Sequence, residues 1–147
     1  MSKPTTVLIA DDDDSFREAL AFLIDDLPGV ELVGEASDGA QLLELAAALH
    51  PAVVITDANM PVIDGMAATR LLKRTPNPPL VAVCSCDRGF QVRCAALAAG
   101  ADEFIPKQDA CARITALLVP CEPSPDPGAR TSGPPFAGAL AARDLGR

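Results

Sequence analysis

Five short apolar runs punctuate the first four fifths of the chain, and between them the apolar residues change to a helical period. The runs are Val7–Ala10, Val30–Ala36, Val53–Thr56, Leu80–Ser85 and Glu103–Pro106. Three are nearly continuous in apolar residues, as strands covered on both faces should be. A first helix is expected from about Ser15 to Leu27, with Phe16, Ala19, Leu20, Leu23 and Leu27 on one face. Ser15 and Glu18 have the spacing of a capping box. A second helix starts after Asp38, carries Leu42, Leu45, Ala46 and Leu49, and stops before Pro51. A third follows Asp64-Gly65 and ends before Pro76. A fourth spans roughly Phe90 to Ala99, with Gly100 as a natural stop. A fifth begins near Asp109 and ends before Pro120. Five strand–helix units in series predict an α/β fold, a doubly wound five-stranded parallel sheet with helices on both faces.

The strand ends carry the polar chemistry. The first run stops at Asp11-Asp12-Asp13-Asp14, the third at Asp57, the fourth at Ser85 and the last at Lys107. In such sheets functional residues collect beyond the carboxyl ends of the strands. Residues dozens of positions apart can therefore meet in one crevice. Clustered carboxylates repel one another, and a hard divalent cation such as Mg2+ relieves this. A carboxylate facing that cation can act as a nucleophile toward phosphorus. A lysine and a hydroxyl nearby would neutralise and orient phosphoryl oxygens. Each residue also has a plainer explanation: four aspartates can be a charged helix start, and Asp57 a turn residue. Their joint order on four strand ends favours a site.

Charge narrows the function classes. The net charge is −8, and residues 1–118 hold 17 acids against 9 bases, while residues 119–147 hold three of each. An acidic body argues against a nucleic-acid surface, which needs a basic stripe. No apolar stretch approaches the ~18 residues of a membrane span, and the start is no signal peptide. Five cysteines without zinc-site spacing suggest reduced thiols and a cytoplasmic location. Aromatics are 3%, so the core is aliphatic. Residues 119–147 hold six of 14 prolines and four of 10 glycines. That composition is expected of a disordered tail, which separates a domain at 1–118 from a tail at 119–147.

At these residues the chain resembles the response-regulator receiver domains of two-component signalling. The matching features are Asp11-Asp12, the block Asp57-Ala58-Asn59-Met60-Pro61 with Asp64-Gly65, Ser85, and Gly100-Ala101-Asp102 leading to Phe104 and Lys107. Gly34-Glu35-Ala36-Ser37-Asp38-Gly39 looks most like the NarL/FixJ-type branch. The resemblance implies a flavodoxin-like strand order 2-1-3-4-5. It implies that Asp57 takes a phosphoryl group from a sensor histidine kinase. Asp12, Asp57 and the Asn59 carbonyl would hold Mg2+, with Asp11 assisting through water. Lys107 would pair with the phosphoryl group, Ser85 would hydrogen-bond it, and Phe104 would rotate as a switch. The result is a phosphorelay switch with self-phosphorylation and autodephosphorylation activity rather than an enzyme of separate substrates. Output would pass to an unidentified downstream protein through the fourth helix, fifth strand and fifth helix, a face that could also support a homodimer. No contact with nucleic acid or membrane is expected of this chain itself.

Several departures bear on that reading. Asp13 and Asp14 add charge beside the ligands, and Gln108 stands where many receivers have proline after the lysine. Cys86 flanks the switch serine. Asn59 and Asp87 are placed to tune phosphoryl lifetime by positioning water. His50, the single histidine, precedes Pro51 at a helix end and is not expected to be a phosphodonor. The competing reading is a small Mg-dependent aspartate phosphatase resembling the haloacid dehalogenase group, with Asp11-Asp12-Asp13 as its D-x-D. It leaves the Asp57 block without a role. A flavodoxin-type cofactor carrier is excluded, since four aspartates after the first strand would repel phosphate. NarL/FixJ-type regulators carry a helix-turn-helix after the receiver; residues 119–147 are too short and too rich in Pro and Gly to form one. A stand-alone receiver and a fragment of a longer regulator both remain open.

Overall fold

A computed structural model describes residues 3–119. The strands are β1 (Thr5–Ala10), β2 (Val30–Ala36), β3 (Val53–Asp57), β4 (Leu80–Ser85) and β5 (Glu103–Pro106). They form one parallel sheet in the order β2-β1-β3-β4-β5. The helices are α1 (Asp14–Asp25), α2 (Gly39–Leu49), α3 (Gly65–Lys73), α4 (Phe90–Ala98) and α5 (Ala110–Leu118). The expected fold, strand order included, is the observed one. The expected tail lies outside the described residues, save Val119, which packs on the core. Among the described residues no helix is long and apolar enough to cross a membrane.

Alternation along each strand builds two core layers. Leu8, Ala10, Val54, Val81, Val83 and Phe104 face one side and meet Leu42, Ala46, Ala68, Leu72 and Ala96 of α2, α3 and α4. Val7, Ile9, Ile55, Ala82, Cys84 and Ile105 face the other and meet Leu20, Ile24, Ile114 and Leu118 of α1 and α5. Successive side chains of a strand point to opposite faces. A central strand here is apolar at every position because both faces are covered. All five residues of β3 are buried, including Thr56 and Asp57.

The helix starts correct one expectation. Asp13, not Ser15, caps α1: its carboxylate accepts from the backbone N–H of Ser15 at 3.0 Å and of Phe16 at 3.4 Å. Ser15 is already one residue inside the helix, so its capping box with Glu18 does not form. Asp38 caps α2 as expected, accepting from Gln41 N–H at 2.8 Å, while Gln41 Oε1 reaches back to Ser37 N–H at 3.0 Å. His50 ends α2 in the left-handed region at φ 49, which the following Pro51 promotes by disfavouring a right-handed helical residue before it. Asp102 gives the Gly100-Ala101-Asp102 block its structural reason. Its carboxylate takes Lys73 Nζ at 2.8 Å and Val81 N–H at 2.9 Å, tying the end of α3 to the start of β4. Burial alone would raise the Asp102 pKa, but those two donors outweigh it and lower it.

Close backbone approach explains Gly65. A Cβ there would collide with the backbone carbonyl of Asp57, so the first turn of α3 sits directly against the end of β3. Gly65→Ala is expected to destabilise the domain by about 1–3 kcal/mol through overpacking. An unchanged urea midpoint would contradict this close packing.

Candidate functional site

The ends of β1, β3, β4 and β5 open on one crevice. Asp11 is 1% exposed and Asp57 8%; Asp12 is exposed. Carboxylate oxygens of Asp11, Asp12 and Asp57 all lie within 4.8 Å of one another. Lys107 follows β5 and reaches across, its Nζ 2.8 Å from Asp11 Oδ2 and 3.5 Å from Asp57 Oδ1. Its approach to Asp11 Oδ2 is off the line of a hydrogen bond, which leaves that buried oxygen without an aligned donor. Asp11 Oδ1 accepts from Asp13 N–H at 2.8 Å.

Burial and charge set the protonation of this group. Burial pushes the Asp57 carboxyl up to about 6, and the Asp11 charge adds to the rise; Lys107 and the Asn59 backbone N–H pull against it. Burial draws the Lys107 ammonium down, but the close approach of the Asp11 carboxylate and the charges of Asp57 and Asp11 carry it above its ordinary value. The Cys84 thiol, buried behind the site, is pushed to about 12 by burial and stays protonated.

The fit to a divalent cation rests on the donor set: three hard carboxylates, crowded, one of them offering a buried oxygen with no aligned donor. Asn59 lies two residues beyond Asp57 and is exposed. Ser85 is 1% exposed, with its Oγ accepting from Asp87 N–H at 3.0 Å. The Asp87 carboxylate accepts from Gly89 N–H at 2.7 Å. Asn59 and Asp87 share a cavity of about 320 Å³ with Asp64 and Gln91. Phe104 is 4% exposed, packed in the α2-α3-α4 layer. Val62, in the loop after Asp57, holds φ 71, a left-handed conformation costing a side-chain-bearing residue about 1–2 kcal/mol.

The four-aspartate run divides. Asp11 and Asp12 face the crevice, Asp13 caps α1, and Asp14 pairs with Arg17 at 2.6 Å. The extra charge expected from Asp13 and Asp14 is thus largely spent on the helix. Two neighbours had no expected place at the site. Arg17 donates to the Asp11 backbone carbonyl at 2.6 Å and approaches Glu35 at 3.4 Å, bracing the acidic loop. Phe16 places its ring 4.4 Å from Lys107 Nζ. Their position just after the aspartates was the available signal; helical periodicity accounts for Phe16 only as a core residue. After Lys107 the chain makes a single 3-10 turn, Lys107–Asp109, with Gln108 at its centre.

The family model described as the response regulator receiver domain matches residues 7–118. The chain belongs to that family. This receiver is similar in structure to the receiver domain of the putative response regulator NarL from Mycobacterium tuberculosis, at 30% identity and a TM-score of 0.77, covering 82% of this chain and 97% of that one. It is also similar to the response regulator domain of Thermotoga maritima CheB, at 26% identity and a TM-score of 0.71, covering 82% and 100%. In sequence it is 39% identical over 102 residues to a protein-glutamate methylesterase/protein-glutamine glutaminase of Alkalilimnicola ehrlichii, covering 69% of this chain and 26% of that protein. A Myxococcus xanthus protein of the same description is 38% identical over 105 residues, covering 71% and 30%. The receiver therefore spans between a quarter and a third of the length of these curated relatives. The phosphatase alternative finds no support: the matched family is the receiver's, and Asp13, the second aspartate of the D-x-D, is turned to cap α1.

The raised Asp57 pKa has a stability consequence. An unfolded aspartate titrates near 3.9, so between pH ~4 and ~6 the folded protein binds more protons than the unfolded chain, and stability falls as pH rises through that window. Asp57→Asn is expected to be more stable than wild type at pH 7.5 without divalent cation, by about 2–3 kcal/mol. The gain should vanish near pH 4. Urea midpoints across this range provide the check; equal midpoints at pH 7.5 would contradict the burial cost.

Proposed function

We propose that Asp57 is the phosphoacceptor of a two-component phosphorelay and takes its phosphoryl group from the phosphohistidine of a sensor kinase. The observation that carries this is the Asp57 carboxylate, buried at a strand end, beside Asp11 and Asp12 and 3.5 Å from Lys107. An Asp57 oxygen forms the new bond to phosphorus, and the phosphorus–nitrogen bond of the donor breaks with its electron pair leaving on the imidazole, which takes up a proton. The rise of the Asp57 pKa to about 6 still leaves it largely ionised near pH 7, as a nucleophile must be. Lys107 meets the equatorial phosphoryl oxygens, and Ser85 offers a hydroxyl to one of them.

Asp11, Asp12, Asp57 and the backbone carbonyl of Asn59 would hold Mg2+. When bound, it would neutralise phosphoryl oxygens as negative charge gathers at the transferring group. Asn59 and Asp87, on the shared cavity, are placed to govern the access of water to the acyl phosphate. Phe104, three residues before Lys107, transmits the change to α4, whose Phe90 and Leu97 are 78% and 48% exposed. A downstream protein would read that face with β5 and α5, in the cytoplasm, where free thiols such as Cys86, Cys94 and Cys111 persist.

Intact mass after incubation with acetyl phosphate tests the proposal. Wild type with Mg2+ should gain one phosphoryl group; without Mg2+, or in Asp57→Asn, the adduct should be absent. An adduct that survives in Asp57→Asn would move the nucleophile elsewhere. For Asp87→Ala, hydrolysis of the adduct should change from a wild-type lifetime on the order of minutes if Asp87 positions water.

A further inference from the structure

Lys107 is held from three sides. Two are Asp11 Oδ2 at 2.8 Å and Asp57 Oδ1 at 3.5 Å. The third is the ring of Phe16, whose centroid lies 4.4 Å from Nζ. The two carboxylates are groups that a divalent cation would claim. With a dication against them, their pull on the ammonium falls, and the two cations repel. Lysine has a flexible four-carbon stem and several competing rotamers, so it could swing outward just when it is needed.

The Phe16 ring is not a metal ligand. Its face carries the negative side of the aromatic quadrupole, and that attraction for an ammonium does not change when the carboxylates are occupied. The ring is fixed on the first turns of α1, part-buried against Leu20, Ile24 and their layer. Asp13, which caps that helix through Phe16 N–H, ties the ring's backbone to the acidic loop itself.

We propose that Phe16 is a positioning residue for Lys107, its ring face keeping the ammonium at the mouth of the Asp57 pocket while a divalent cation occupies the carboxylates. The inference rests on Asp57 being the phosphoacceptor. With acetyl phosphate as donor, an Asp57 oxygen bonds to phosphorus as the bond from phosphorus to the acetyl oxygen breaks, and the electron pair leaves on acetate. Lys107 stays protonated throughout and transfers nothing. Its contribution depends on where its charge stands, which is what the ring controls.

The full chain contains only three lysines, Lys3, Lys73 and Lys107, so the Lys107 εCH2 resonances are readily assigned by carbon–proton NMR. In wild type they should be shifted upfield by the ring current relative to Lys3, before and after saturation with Mg2+. Phe16→Leu should abolish the shift and Phe16→Tyr should keep it. At saturating Mg2+, the maximal rate of phosphorylation by acetyl phosphate should fall about 3- to 10-fold in Phe16→Leu, the scale of one partly desolvated cation–π contact. It should recover in Phe16→Tyr. The Mg2+ midpoint, followed by amide NMR titration, should stay within about twofold, since the ring touches the lysine and not the cation. A Leu variant as fast as wild type overturns the inference alone. So does a rate loss matched by an equal loss of Mg2+ affinity, or one not rescued by tyrosine, because packing of the acidic loop would then be the cause. A wild type that takes up no phosphoryl group overturns the reading of Asp57 and the inference with it.

Discussion

Three carboxylates crowded within 4.8 Å at the edge of an aliphatic core repel one another, and the rest of the site is arranged around that repulsion. At 4 Å and the effective dielectric near a protein surface, one such pair costs about 4 kcal/mol. Two consequences are visible. The Asp57 carboxyl, raised first by burial and further by the Asp11 charge, holds its proton to about pH 6. Lys107 is drawn in between Asp11 and Asp57, where its charge offsets part of the cost. A site of this kind is unfavourable when empty and favourable when a dication or a proton reduces the charge. Reducing the charge there draws on an energy already present in the fold.

The acidic run after β1 illustrates how such charge is contained. Four successive aspartates could have made the crevice far more negative. Instead, Asp13 accepts from the free N–H groups at the start of α1, and Asp14 is paired with Arg17. Arg17 also donates to the Asp11 carbonyl, so one guanidinium holds the loop's backbone and neutralises its outermost acid. The helix N-terminus favours negative charge for the same reason. Only the two aspartates that face the crevice remain free to act there.

Strand β5 runs from the surface helices to the site. Phe104 lies in the α2-α3-α4 layer, and Lys107 follows three residues later at the carboxylates. The backbone carbonyl of Phe104 accepts from Arg113 of α5 at 3.4 Å. β5 is four residues long, and the helices packed on its two faces are different. The same fold is similar both to the NarL receiver domain and to a quarter-length part of a methylesterase.

The primary structure by itself determined the five strands, the five helices and the four strand ends that carry Asp11-Asp12, Asp57, Ser85 and Lys107. Hydrophobic periodicity is a local property, and residues that must be buried on both faces write themselves as continuous apolar runs. The tertiary structure decided which aspartates of the run face the crevice, because capping depends on the backbone angles of the entering chain, and Asp13 rather than Ser15 has the extended conformation at the helix entry. It likewise decided that Phe16, legible only as one of the apolar residues of α1, lies under Lys107. That contact joins the first helix to the end of the last strand. Its existence depends on α1 and α5 packing in one layer on the same face of the sheet, information that no short stretch of sequence contains.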